Sequence, residues 1–287
     1  MTPFLLLCCC QCVIKSVVRA GPSPRPGFVR AGPGPRPSAE IYALVNNVSA
    51  ETPADCLQTD SILAASNESM SKSFESTHAM REKMCTHRHS APYAALVLDG
   101  FYEELSIDGR FACAAGVLTI HPAWHSHANY FGGAGATVLN LPIPEVDGLT
   151  SVKVSNAREI AKLARRCPAS AGMAVLEETQ EHAPLSPAPW LSALVNLIVD
   201  EPEADIASLA VRCGVTPEHA SRACKRWFGQ GPAALRRDGR IRHAISLLQI
   251  GATPTEAAFE AGFSDQPHLT RLLKRETGLT PATFRQA

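Results

Sequence analysis

The sequence predicts an α+β protein, with a small N-terminal β barrel followed by an all-α domain carrying two helix-turn-helix motifs. Three observations predict it. Residues 78–145 alternate and turn like a meander, residues 220–236 are echoed at 269–285, and charge is divided unevenly along the chain. The 287 residues are 45% hydrophobic and 19% charged, which excludes a wholly disordered chain, a collagen and a multi-span membrane protein. A formal net charge of zero conceals +4 over residues 1–40, −6 over 41–185 and +2 over 186–287. Within 212–242, eight basic side chains (Arg212, Arg222, Lys225, Arg226, Arg236, Arg237, Arg240 and Arg242) meet only Glu218 and Asp238. That stretch is a candidate polyanion contact.

The first sixty residues are expected to be a disordered tail or a misassigned start. Phe4 to Ile14 is a mostly apolar run of about eleven residues, too short for a bilayer, which needs roughly twenty in a helix. It is followed by a near duplication, VRAGPSPRP at 18–26 and VRAGPGPRP at 29–37. Proline at that density removes amide donors and fixes φ, so neither helix nor sheet forms. Met70 is a candidate later start. The ten cysteines comprise Cys8, Cys9, Cys10 and Cys12 and six scattered ones. Cys9 and Cys12 have no matching second pair for a zinc site, so a reduced, cytoplasmic protein is expected.

The all-α domain rests on the echo. At an offset of 49, Arg222, Lys225, Arg226, Gly229, Pro232, Ala233 and Arg236 recur as Arg271, Lys274, Arg275, Gly278, Pro281, Ala282 and Arg285. Upstream the offset is 48, with Ala210/Ala258 and Gly214/Gly262, so one residue is added between turn glycine and basic cluster. Such internal similarity marks one supersecondary unit used twice. In the first copy Ile206, Leu209 and Ala210 form an apolar face, Gly214 stops the helix, Val215 plugs, and Thr216-Pro217 opens the next helix. In the second, Thr253-Pro254-Thr255-Glu256 is a capping box, Gly262 turns, Phe263 plugs and Ser264 caps. Each second helix then presents Arg, Lys and Arg to solvent. A helical bundle with a solvated basic face would explain one copy; two agreeing copies favour DNA binding. Between them Pro232 starts a connector helix with Leu235, Ile241, Ala244, Ile245 and Leu248 on one face. It would hold the readers about one duplex turn apart, ~34 Å. Asp238-Gly239 is expected to bend it, since glycine inside a helix costs about 1 kcal/mol relative to alanine.

Ala210…Gly214, the Pro232…Leu248 connector and the run Gly262-Phe263-Ser264-Asp265-Gln266-Pro267-His268-Leu269-Thr270-Arg271, through Lys274-Arg275, Gly278-Leu279-Thr280-Pro281 and Phe284-Arg285, resemble the AraC/XylS transcription regulators. The resemblance covers residues 190–286, with Cys224 where the family usually has Phe. It implies seven helices, two groove readers and promoter DNA as partner. Carried over by position, the base-reading candidates are Glu218, Ser221 and Arg222 in the first reader and Gln266, Pro267 and Arg271 in the second. Lys225, Arg226, Lys274 and Arg275 are expected on phosphates, which fix register without carrying sequence information.

Ala94–Leu98, Tyr102–Ile107, Phe111–Ala114, Val117–His121 and Thr137–Leu141 are the expected strands, with Asp99-Gly100 and Asp108-Gly109 as hairpin turns. His87-Arg88-His89, Gly100, Gly116 with Pro122, and His127 resemble the cupin-type effector domain that precedes the DNA reader in many family members. In metal-binding cupins a Glu follows the paired histidines; here Tyr93 stands in its place. Glu103 and His121 are possible substitutes. Without that carboxylate the expectation is no metal and no cofactor, with His87, His89, Tyr93 and His127 lining an effector pocket. About one equivalent of bound metal in the purified protein would overturn this.

The chain is thus divided into a tail (1–60), a cupin-like effector-binding domain (61–150), a helix and Pro-rich linker (151–187) and an AraC-type double helix-turn-helix domain (188–287). In the linker region, 155–166 reads as a helix capped by Ser155, with Ile160, Leu163 and Ala164 facing either a dimer partner or the barrel. No Ser-His-Asp elbow, phosphate-cradling glycine loop or carboxylate pair in context is present, and no catalytic residue is assigned. The expected function is a non-enzymatic, sequence-specific transcription regulator, an activator, responsive to a small-molecule effector, with RNA polymerase and a second copy as further partners. The alternative is a metal-dependent cupin enzyme fused to a DNA-binding module.

Overall fold

The computed structural model describes residues 74–146, 148–177 and 182–285; the tail, the proline duplication and the candidate start at Met70 lie outside them. Seven strands come first: β1 (Phe74–His78), β2 (Lys83–Arg88), β3 (Tyr93–Ser106), β4 (Gly109–Ala114), β5 (Val117–His121), β6 (Ser126–Pro142) and β7 (Thr150–Lys153). All pair antiparallel in the order β1-β6-β3-β5-β7, with β2 also on β6 and β4 also on β3. The path has two ends and the sheet is not closed.

Three strand expectations are corrected. Asp99-Gly100 does not end a strand. β3 runs through it while its register against β6 slips on both sides, between Val97 and Asp99 and between Gly100 and Tyr102. The sequence signal was read as a hairpin because a bulge and a tight turn both use a left-handed glycine. The same crossing explains why β6 starts at Ser126 rather than Thr137: its glycines mark close backbone approach, not a break. The Asp108-Gly109 turn falls one residue early, with Ser106 paired to Gly109 and Ile107-Asp108 forming the loop.

One apolar layer holds Val97, Tyr102, Phe111, Phe131 and Val138. On the other, Leu96, Leu118 and Leu141 pack with helices α1 (Ala157–Arg166) and α2 (Pro168–Val175). The α1 N-cap is Asn156, without a side-chain capping bond, rather than Ser155. Ile160 and Ala164 are spent on the chain's own sheet, so this face is not left over for a dimer partner. The Pro-rich segment is no loose linker either. The amide of His182 donates to Ser151 O at 2.7 Å, and that of Leu185 donates to Arg110 O at 2.7 Å.

Seven helices follow among the described residues: α3 (Pro189–Asp200), α4 (Ile206–Arg212), α5 (Pro217–Phe228), α6 (Pro232–Gln249), α7 (Pro254–Glu260), α8 (Gln266–Thr277) and α9 (Pro281–Phe284). The pairs α4–α5 and α7–α8 turn alike. Gly214 and Gly262 have φ of 76° and 74°, which glycine adopts without steric cost. The next amide closes each turn, Val215 N on Ala210 O at 3.1 Å and Phe263 N on Ala258 O at 2.8 Å. Thr216 caps α5 by accepting from His219 N, and the capping box at Thr253–Glu256 forms. The α8 cap is Asp265, not Ser264: its carboxylate accepts from His268 N at 2.6 Å. Ser264 is therefore the added residue that changes the repeat offset from 48 to 49.

Connector α6 is one continuous helix of 18 residues without a break at Gly239. What the sequence marks as a flaw is where the sheet docks. Arg88, the last residue of β2 and flanked by His87 and His89, forms a buried ion pair with Asp238 and donates to Trp124 O at 2.8 Å. One turn along α6, Arg242 donates to both oxygens of Asp108, at 3.1 and 2.9 Å. Two apolar side chains complete the joint. Ile107 packs against the cluster of α3–α5, and Trp124 packs against the cluster of α6–α9, its ring 5.2 Å from that of Phe284.

Candidate nucleic-acid interface and histidine cluster

Each second helix buries one face and leaves the other to solvent. On α5, Ala220, Cys224 and Phe228 are buried, while Glu218, Arg222, Lys225 and Arg226 are exposed and Ser221 is half-buried. Burial pushes the Cys224 thiol up to about 12, so this cysteine serves as a small core residue. On α8, Leu269, Leu272 and Leu273 are buried, and Gln266, Pro267, Arg271, Lys274 and Arg275 are exposed. Both basic triplets thus stand on solvent-facing sides of equivalent helices. The Glu218 carboxyl is held below its ordinary range by its own backbone amide, the Thr216 hydroxyl and the Arg222 charge.

The basic stretch is smaller than its count. Arg212 is bonded to Glu201 at 2.6 and 2.7 Å, Arg240 lies 3.1 Å from Glu203, Arg237 is 3.5 Å from Glu276, and Arg242 is held by Asp108. These four serve the chain itself. Nothing in a sequence count separates them from side chains aimed outward.

The sheet gathers five imidazoles. His87 on β2 pairs across to His127 on β6, with ring centroids 4.3 Å apart. His89 lies 4.7 Å from the Tyr93 ring, and the Tyr93 hydroxyl is 3.0 Å from His127 Nε2. All four expected pocket residues are therefore together. Of the two expected substitutes for the missing carboxylate, Glu103 is elsewhere, ion-paired with Arg110, whereas His121 belongs to the cluster. Its Nε2 donates to Glu104 Oε1 at 2.9 Å. The sequence reading missed Glu104 and His125, whose Nε2 donates to Asp108 Oδ2 at 2.9 Å. The spacing His121-x3-His125-x-His127 was the available signal.

Burial is the first cause that lowers the pKa of His87, His89 and His127, with charge from neighbouring imidazoles adding to it; His89 falls to about 3. Each is neutral in the fold but takes a proton when unfolded below its ordinary value of about 6.5. Their contribution is therefore intact above pH 6.5 and is lost as pH falls below it, at about 1.4 kcal/mol per pH unit for His89, whose folded value lies near 3. Urea midpoints in EDTA are expected to drop from pH 7.5 to 5.5, and His89→Gln to flatten that drop; equal midpoints at both values would refute it.

Four of the five described cysteines are free; Cys85 is disulfide-bonded, a correction to the expectation of reduced thiols throughout. No helix among the described residues is long and apolar enough to cross a membrane.

Residues 209–287 match the family described as a helix-turn-helix domain. This segment is similar to the helix-turn-helix domain family. Over 83 residues the chain is 34% identical to the HTH-type transcriptional regulator GlxA of Rhizobium meliloti (strain 1021), covering 29% of this chain and 26% of that protein. Over 82 residues it is 33% identical to the arabinose operon regulatory proteins of Salmonella typhimurium, covering 28% and 29%, and of Escherichia coli (strain K12), covering 28% of each. The match thus spans less than a third of these curated relatives. Among solved structures, ToxT from Vibrio cholerae O395 aligns with 75% of this chain and 96% of that chain at 8% identity, with a TM-score of 0.37. An AraC-type regulator from Chromobacterium violaceum aligns with 34% and 90% at 25% identity, with a TM-score of 0.33. The matched residues begin within α4, run through α9 and contain the whole echo.

Proposed function

We propose that the chain is a sequence-specific, DNA-binding transcription regulator, an activator, with α5 and α8 as two major-groove readers. The observation that carries this is the duplicated turn: two helix pairs with matching closing bonds, each presenting an exposed Arg-Lys-Arg triplet, within a segment of the helix-turn-helix family. In this reading Arg222 and Arg271 face guanines, Gln266 faces adenine and Glu218 accepts from cytosine N4. Ser221 and Pro267 touch base edges, the proline without a side-chain hydrogen bond. Lys225, Arg226, Lys274 and Arg275 neutralise phosphates.

The sheet, read as a cupin-like domain spanning 61–150, takes a small-molecule effector among His87, His89, Tyr93 and His127. The region 151–187 joins it to the DNA-binding domain at 188–287. An effector acts by binding one docked arrangement more tightly than another, through the Arg88–Asp238 and Asp108–Arg242 contacts on α6. RNA polymerase and a second copy of the chain complete the proposed partners.

Selection of bound duplexes from a random pool, followed by gel shifts, tests the reading. Arg222→Ala or Arg271→Ala is expected to lose ~1–3 kcal/mol on the selected site and to relax preference at one position. Lys225→Ala is expected to weaken all sequences alike and reduce the salt slope by about 1. An Arg222→Ala protein with unchanged site preference would remove that residue from the readers.

A further inference from the structure

Three of the five clustered histidines, one of them the His127 of the proposed effector pocket, share a second arrangement. His121, His125 and His127 are all buried, at 1%, 3% and 0% exposure, and each offers a ring nitrogen to a group lying within 4.8 Å. In every one of them Nε2 is already engaged: by Glu104 Oε1 for His121, by Asp108 Oδ2 for His125 and by the Tyr93 hydroxyl for His127. In every one of them Nδ1 is buried without a partner.

Where a carboxylate oxygen accepts from Nε2 of a neutral imidazole, as the contacts of His121 with Glu104 and of His125 with Asp108 allow, Nδ1 keeps its lone pair. With each Nε2 engaged, Nδ1 is the nitrogen left over on each ring, and the three residues offer ligand nitrogens within 4.8 Å of one another. Leaving such acceptors unmet costs about 1–3 kcal/mol each. A water molecule has two hydrogens for three lone pairs, whereas one cation meets all three. Histidines whose second nitrogen is held by a carboxylate are also the arrangement that orients metal ligands and raises their basicity.

We propose that His121, His125 and His127 bind a divalent transition-metal ion of the zinc class through Nδ1, with Glu104, Asp108 and Tyr93 orienting the three rings. Imidazole suits Zn, Cu, Fe and Ni. Ligand nitrogens around a zinc ion stand roughly 3.4 Å apart, so the ion draws the rings inward. Asp108 also holds Arg242 on α6, so ring movement at His125 is transmitted to the connector helix by one carboxylate. The site stands independently of the regulator reading, and its test uses no DNA.

The full chain, stripped with a chelator, is titrated with Zn(II) against a chromophoric competitor, and Co(II) is substituted to read the ligand field. One equivalent is expected, with the visible spectrum of nitrogen-rich, low-coordinate Co(II). His121→Asn and His125→Asn are expected to abolish binding, and Asp108→Asn to weaken it by ~10–100-fold, while His182→Gln, remote from the cluster, keeps full affinity. Circular dichroism of each variant verifies folding, and Asp108→Asn, which leaves all three ligands in place, decides the matter should a histidine variant unfold. Wild-type protein that takes up no zinc overturns the proposal. So does zinc whose binding survives His121→Asn and His125→Asn but is lost in His87→Asn and His89→Asn, because the ion then belongs to the His87–His89 pair.

Discussion

Replacing Asp238 with alanine is expected to cost about 3–5 kcal/mol of folding stability, as is usual when one member of a buried ion pair is removed. Asp238 is 2% exposed and the Arg88 side chain 6%, so the guanidinium left behind would lie out of water with only the Trp124 carbonyl as a partner. Removing both charges is a different experiment. Arg88→Met with Asp238→Leu replaces the pair by apolar groups, and such exchanges are often neutral or stabilising. Urea unfolding of wild type, Asp238→Ala and the double variant separates the two effects. A loss below about 1 kcal/mol in the single variant would mean that the pair is solvated and the docking of sheet on α6 rests on other contacts.

Gly172→Ala is expected to destabilise the protein by about 1–3 kcal/mol, although alanine is the better helix former by about 1 kcal/mol. Helix α2 lies so close to the end of β6 that an added Cβ would stand 1.9 Å from the carbonyl oxygen of Pro142. That atom belongs to the backbone of a strand paired in the sheet, so it cannot swing aside as a side-chain tip would. Helix and strand must separate, opening the layer that holds Leu141, Ala171 and Val175. Thermal unfolding checks the sign, and an unchanged or raised melting temperature would show that the crossing can widen without loss.

The helical half was legible because its determinants are local. A turn glycine, a cap, a proline at the first helical position and the spacing of small residues lie within a few positions of what they dictate, and duplication tested each against its counterpart. Ser264 escaped because an inserted residue is ambiguous in one dimension: either it or Asp265 can cap, and only the bond to His268 decides. The sheet was legible at its turns and poorly elsewhere. A bulge and a hairpin use the same glycine chemistry, so Gly100 could not announce that β3 continues.

The site was least legible where partners are far apart in the chain. Arg88 and Asp238 are separated by 150 positions, and nothing near Asp238 identifies it as anything but a misplaced acid in a helix. Likewise Tyr93 was recognised as a departure from the metal-binding pattern, but Glu104 enters from further along the same strand, beyond the bulge. His125 was passed over, and His121 named only as a substitute for the carboxylate, because their value lies in which nitrogen is left over, and that depends on Glu104 and Asp108.

Ile107 and Trp124 belong to different loops of the sheet, and each ends in the hydrophobic cluster of a different half of the helical domain. The sheet therefore behaves as a calliper, one jaw seated beside each reader. In the proposed reading, a tilt of the sheet changes the gap between α5 and α8, and an effector acting through this joint is expected to alter tolerance to spacer length in the bound DNA more than preference for its bases.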